Sequence, residues 1–220
     1  MGSRYQSRTG IRIKQAAELL FWKFKKALAG KLGNSHYFWF YTTYFSLSTN
    51  DYQNKSVLDI GCGPRGSLEW AEMASLRVGL DPLADHYLKM GAAEHKMTYV
   101  CAGSEQIPFP DDTFDFVCSF NSIDHVAGLD ETCREIRRVL KPGGLFLLIV
   151  DVHDYPTLTE PQAIPWNFIQ TYFPDFEILE KCHLATLHRG HIYRNLRAGV
   201  TVSDSDKKSG ILTAKLQKPI

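Results

Sequence analysis

Apolar side chains recur at helical spacing near the start of the chain. Ile13, Ala16, Ala17, Leu20, Phe21, Phe24 and Leu28 share one face, and Lys14, Glu18, Lys25 and Lys26 fall mostly on the other. This predicts an amphipathic helix over residues 11–29. Gly30 and Gly33 break it, and Asn34–Ser35 can cap the next element, an aromatic run from His36 to Tyr41 extended by Tyr44 and Phe45. So many rings need a partner surface, either the core or an active site over which they form a lid. From residue 56 short apolar runs alternate with helical patterns. Strands are predicted at 57–60, 77–80, 97–101, 114–120 and 145–150, and helices at 66–75, 84–94 and 130–140. Regular alternation with continuously apolar strands indicates a parallel sheet covered on both faces, whose ligand lies at the carboxyl ends of the strands where their order reverses. Beyond it the pattern predicts a helix at 161–173, strands at 176–185 and 210–216, and a basic insertion at about 187–209. The expected organisation is an N-terminal helical segment or lid over residues 1–50 and a single α/β domain over 51–220.

Composition narrows the class. Of the 220 residues 44% are apolar and 22% charged, the proportions of a folded globular protein. No stretch approaches a membrane span, and the polar, basic start lacks the apolar core of a secretory signal, so the expected location is the cytoplasm, with no membrane partner. Five cysteines at positions 62, 101, 118, 133 and 182 contain no Cys-x-x-Cys pair and suit buried thiols better than disulfides or zinc. The net charge of +1 hides basic ends: residues 1–31 carry eight Lys or Arg against one acid, and residues 181–220 carry eight against two. Solvated helix faces explain such ends more simply than an anion partner, and no nucleic-acid recognition module is present.

The sharpest local feature is Leu58-Asp59-Ile60-Gly61-Cys62-Gly63-Pro64-Arg65-Gly66, a strand running into a glycine turn, with Asp81 twenty residues after Gly61 at the end of the second strand. Glycines let backbone approach a ligand, and a carboxylate at the second strand can accept from two ribose hydroxyls. This much specifies an adenosine-type ligand, dinucleotide or otherwise. Two further features separate the alternatives. The chain is too short after its fifth strand for the second half of a nicotinamide dehydrogenase, and Asp59 would repel a pyrophosphate but welcome an ammonium group.

Residues 55–150 resemble the class I S-adenosylmethionine-dependent methyltransferases, in particular the type 11 domain. The resemblance is carried by Asp59 to Gly63, by Ile107-Pro108-Phe109-Pro110-Asp111 and by Arg138 to Gly144. It implies a Rossmann-like, mostly parallel seven-stranded sheet with an antiparallel last strand and helices on both faces. It also implies S-adenosylmethionine as cofactor, with S-adenosylhomocysteine as product. Gly61 and Gly63 would lie against the methionine part, with Cys62 in the same turn. Asp59 would orient the ammonium group, and Asp81, followed by Pro82, would hold the ribose hydroxyls. Ser104 and Glu105 would border the adenine, and Phe120 and Asn121 the methionine and the reaction centre. The chain departs from many relatives in carrying Arg65 where a third glycine is common and Gly103 where an acid is common.

Displacement at a sulfonium needs an acceptor held in line and water excluded; an alcohol acceptor also needs a base. His125, with Asp124 beside it, follows the fourth strand and is the first candidate; His153 follows the fifth and is the second. Asp124, Asp151 and His153 offer donors with which a divalent cation would position a diol, but loop acids are ordinarily just solvated, so no metal is assigned. Glu160 reads as a helix-start residue. Residues 188–197 gather three arginines, two histidines and a tyrosine, which suits a carboxylate, phosphate or sugar-like acceptor as well as it suits a solvated hairpin. The expected function is methyl transfer to an oxygen of a small sugar-like, anionic or natural-product acceptor. The alternatives are a non-catalytic S-adenosylmethionine-binding protein and a nicotinamide oxidoreductase.

Overall fold

The computed structural model describes residues 8–157, 160–188, 190–203 and 209–220. Seven strands form one sheet: β1 (Ser56–Ile60), β2 (Leu76–Leu80), β3 (Thr98–Val100), β4 (Phe114–Phe120), β5 (Leu140–Val152), β6 (Glu177–Leu184) and β7 (Gly210–Gln217), in the order β3-β2-β1-β4-β5-β7-β6. β1 to β5 pair in parallel, and β7 runs antiparallel to both β5 and β6. The expected Rossmann-like sheet is therefore present. Strand order reverses between β1 and β4, which places the ligand crevice beyond Ile60 and Phe120.

Both faces are covered, which is why the strands read as unbroken apolar runs. Along β5, Phe146, Leu148 and Val150 pack on one side with Ile136 and Val139 of α4 (Leu129–Val139) and Phe168 of α5 (Phe168–Tyr172). Leu147 and Ile149 point the other way, into a cluster with Phe40 and Tyr41 of α2 (Tyr37–Tyr41) and with Phe45, Tyr52 and Leu196. The aromatic run thus reaches the core, where the Tyr41 ring lies tilted 4.4 Å from Phe120 and Tyr52 stacks at 4.4 Å on Phe116.

Four predicted elements differ. Residues 66–75 form successive turns rather than a helix, because the Ser67 side chain turns inward to Asp59 while Leu68 is fully buried. The helix predicted at 161–173 shrinks to Phe168–Tyr172, since Pro165 has no amide hydrogen to give and serves instead as the carbonyl that receives the Phe168 N–H. Within the insertion, residues 192–198 form a helix, α6 (Ile192–Ala198), closed by Gly199 at φ +63°. The first helix, α1 (Arg8–Ala29), is as predicted and is followed by α2; α3 (Ala84–Lys89) is shorter than predicted because Gly91, at φ +99°, ends it.

Candidate active site

The glycine turn leaves β1 with Gly61 at φ +70° and Gly63 at φ +58°. A Cβ on Gly61 would overlap the Ser122 side chain, so the turn can pass the end of β4 only as glycine. Asp59, second from the end of β1, is buried and receives the Ser67 hydroxyl. Burial pushes its carboxyl up to about 7, with Asp81 adding to the rise and the Ser67 and Tyr41 hydroxyls opposing it. Asp81, just past β2, accepts from the backbone N–H of Leu83 at 2.9 Å and of Gly63 at 3.1 Å; burial also lifts it to about 7. Two largely desolvated carboxyls thus flank one positive-φ turn. Such a cradle fits a cationic amino-acid nucleoside and would strain against a pyrophosphate.

The other expected binding residues divide by what they touch. Cys62 is buried, and Gly79 on β2 leaves room for it, since a Cβ there would stand 2.6 Å from its sulfur. Pro82 is exposed. The Ser104 hydroxyl meets that of Thr132 at 2.9 Å. Glu105 Oε1 accepts from the N–H groups of Ala127 (2.7 Å) and Gly128 (3.0 Å), which fixes the loop after β4. Phe120 is buried beneath Tyr41, and Asn121, at φ +55°, donates its N–H to Ile149 O at 2.7 Å.

Beyond the carboxyl ends of β4 and β5 titratable groups collect. Asp124 is fully buried, and among the described residues neither of its carboxylate oxygens accepts a hydrogen bond; His125 Nε2 stands 3.9 Å from Oδ1. His153 Nδ1 lies 2.7 Å from Tyr155 O, which leaves Nε2 facing Glu160 Oε2 at 3.5 Å. Asp151 is lifted to about 7 by burial and then by the charges of Asp124 and Glu160. Among the described residues, donor atoms of Asp124, His125 and Glu160 lie within 4.8 Å of one another, a spacing a divalent ion could bridge. Glu160, read from the sequence as starting a helix, instead joins this group; α5 begins only at Phe168. Arg197 lies 4.8 Å over the Trp39 ring, Arg194 is exposed, and Arg189 falls outside the described residues.

Helix α1 crosses the mouth of the crevice. Lys14 Nζ donates to His125 O at 2.6 Å, Tyr87 Oη donates to Glu18 Oε1 at 3.0 Å, and Lys26 donates to Met90 O. Trp22 lies over Gly63.

Residues 58–148 match the family model described as a methyltransferase domain. That stretch is therefore similar to known methyltransferase domains. Over 113 residues the chain is 32% identical to the sterol 4-C-methyltransferase strm-1 of Caenorhabditis elegans, covering 47% of this chain and 34% of that protein. Over 140 residues it is 31% identical to the ubiquinone/menaquinone biosynthesis C-methyltransferase UbiE of Pasteurella multocida, covering 63% and 47% respectively. The chain therefore spans between a third and a half of the length of these curated relatives. In fold it resembles the geranyl diphosphate C-methyltransferase of Streptomyces coelicolor A3(2), crystallised with Mg2+, geranyl diphosphate and S-adenosyl-L-homocysteine. The TM-score is 0.57 and the identity 17%, over 77% of this chain and 76% of that one. Within the matched stretch the second and third sequence motifs clasp each other. Arg138 donates to Phe109 O (2.8 Å) and Ile107 O (2.9 Å), and Glu135 receives the Ile107 N–H at 2.6 Å. Sequence reasoning missed Ser67, Tyr41 and Ser122 as supports of the turn, although all three stand in or beside stretches that it singled out.

Proposed function

We propose that this chain transfers a methyl group from S-adenosylmethionine to a small acceptor seated over the carboxyl ends of β4 and β5. The observation that carries the reading is the pair of buried carboxyls, Asp59 and Asp81, on either side of the positive-φ glycine turn. When bound, S-adenosylmethionine supplies a methyl group on a sulfonium whose leaving thioether needs no proton. Asp59 holds the ammonium group, Asp81 accepts from the ribose hydroxyls, and Ser104 lies beside the adenine. Gly61 and Gly63 allow the backbone to approach the methionine part, and α1 excludes water.

His125 takes the acceptor's proton as the new bond to the methyl carbon forms. Asp124, buried with its Oδ1 3.9 Å from His125 Nε2, stabilises the resulting imidazolium. A base at this point suits an acceptor that becomes nucleophilic on losing a proton, either a hydroxyl oxygen or a carbon beside one. The relatives' names favour carbon, and Arg197, stacked on Trp39, gives no support to an anion-binding fork.

Titration calorimetry with S-adenosylhomocysteine and with NADH tests the cofactor assignment. A clear isotherm with the first and none with the second is expected, and the reverse would refute it. A panel of phenolic, isoprenoid and sugar acceptors, assayed with isotope-labelled methyl groups, then locates the labelled atom by NMR.

A further inference from the structure

An amphipathic helix normally buries its apolar stripe, and α1 does the opposite. Ile13, Leu20, Phe21, Phe24 and Leu28 are between 49% and 73% exposed, and Ala16 and Ala17 beside them are exposed too. The residues turned toward the domain are Lys14, Glu18, Leu19, Trp22 and Lys26, and three of these reach protein atoms through polar groups. With 3.6 residues per turn, positions 14, 18, 22 and 26 lie on the side opposite 13, 20, 24 and 28. The orientation is therefore set by specific contacts and leaves a continuous hydrophobic ridge in water, larger than scattered exposed residues would make.

We propose that this ridge docks α1 in the plane of an anionic lipid bilayer. The charge around it selects that occupant: the first 31 residues carry eight Lys or Arg against the single acid Glu18, and Glu18 is turned inward to Tyr87. Lys23 and Lys25 are exposed along the two borders of the stripe. Large aromatic and aliphatic groups on one face, with lysines beside them, is the arrangement by which a helix lies at the headgroup boundary. No described helix is long and apolar enough to cross a membrane, so the contact is a surface one. The sequence pointed to no membrane partner because it contains no apolar span; the outward turn of the stripe becomes visible only in the structure.

Vesicle flotation tests the proposal with the full chain, using phosphatidylcholine vesicles with and without 30% phosphatidylglycerol as an order-of-magnitude anionic fraction (about that of a moderately anionic membrane). The wild type should float with the anionic vesicles and lose binding at high salt. Leu20→Glu/Phe24→Glu, both at exposed positions, should lower the bound fraction by about tenfold or more while leaving the circular dichroism spectrum and S-adenosylhomocysteine affinity unchanged. Lys23→Glu/Lys25→Glu should abolish the preference for anionic vesicles. Equal binding by the Leu20/Phe24 variant, no binding by the wild type, or a dimer that this variant breaks while vesicles stay unbound would each overturn the proposal. These readouts are independent of methyl transfer, so failure of the assigned reaction would leave the result interpretable.

Discussion

The Ser67 hydroxyl reaches back across the glycine turn to the carboxylate of Asp59, the only hydrogen bond among the described residues that joins the two ends of this turn through side chains. It holds the carboxylate in place and favours its ionised form against burial. Asp59→Asn should therefore lower S-adenosylhomocysteine affinity by at least about tenfold, the scale of a lost charge-assisted bond. Ser67→Ala should move the pH at which affinity rises to a higher value. Calorimetry between pH 6 and 9 checks both, and unchanged affinity in Asp59→Asn would remove the carboxylate from the binding site.

Stability and binding should respond to pH in opposite directions. Asp59 and Asp81 carry folded pKa values of about 7, above their ordinary value of 3.8. Between those values the native state holds more protons than the unfolded chain, so unfolding free energy falls as pH rises from about 4 to about 7, by at most about 1.4 kcal/mol per pH unit for each group. Thermal melts of the ligand-free protein should show this decline, flattened in Asp59→Asn. Binding of an ammonium group requires the ionised carboxylate, so affinity should climb over the same interval with release of protons. Calorimetric enthalpies that do not depend on buffer ionisation would contradict this.

The two histidines beyond β4 and β5 should separate kinetically. His125→Ala should reduce turnover by about 10²–10⁴-fold with cofactor affinity retained. His153, whose Nδ1 is engaged by Tyr155 O, should give a smaller loss when replaced by Asn. Single-turnover rates measured as a function of pH decide the order, and equal losses would assign the proton acceptor to the group as a whole.

Two glycines test the turn. Gly199 sits at φ +63° with nothing within 4 Å of a built Cβ, so Gly199→Ala should cost about 1 kcal/mol through backbone strain alone. Gly61 has a similar φ of +70°, but its Cβ would stand 2.9 Å from Ser122 Oγ and closer still to Ser122 Cβ. Gly61→Ala should be clearly more destabilising, and Gly61→Ala/Ser122→Gly should recover part of the loss. Denaturant melts measure the difference.

Much of this could be read along the chain because the sheet is buried on both sides. Phe114–Phe120 and the last strand at Gly210–Gln217 were legible as strands for that reason, as was the glycine turn with its two aspartates. Local pattern failed where a tertiary contact overrode it. Ser67 turning to Asp59 replaced a helix by turns, and Glu160 has meaning only beside His153. The inverted attitude of α1 was equally hidden, since periodicity reveals that a stripe exists and not which way it faces.

The segment ahead of β1 and the final strand are stitched together. Tyr44 Oη meets Thr213 Oγ1 at 3.1 Å, and Lys215 Nζ donates to Phe45 O at 2.8 Å. The Tyr41 hydroxyl, from the same segment, helps hold the Asp59 carboxyl down against burial. An excised fragment limited to the recognisable motifs would forfeit both the seam and the hydroxyl that acts on the Asp59 carboxyl. Swapping catalytic modules between relatives would therefore require carrying the two flanks as a matched set.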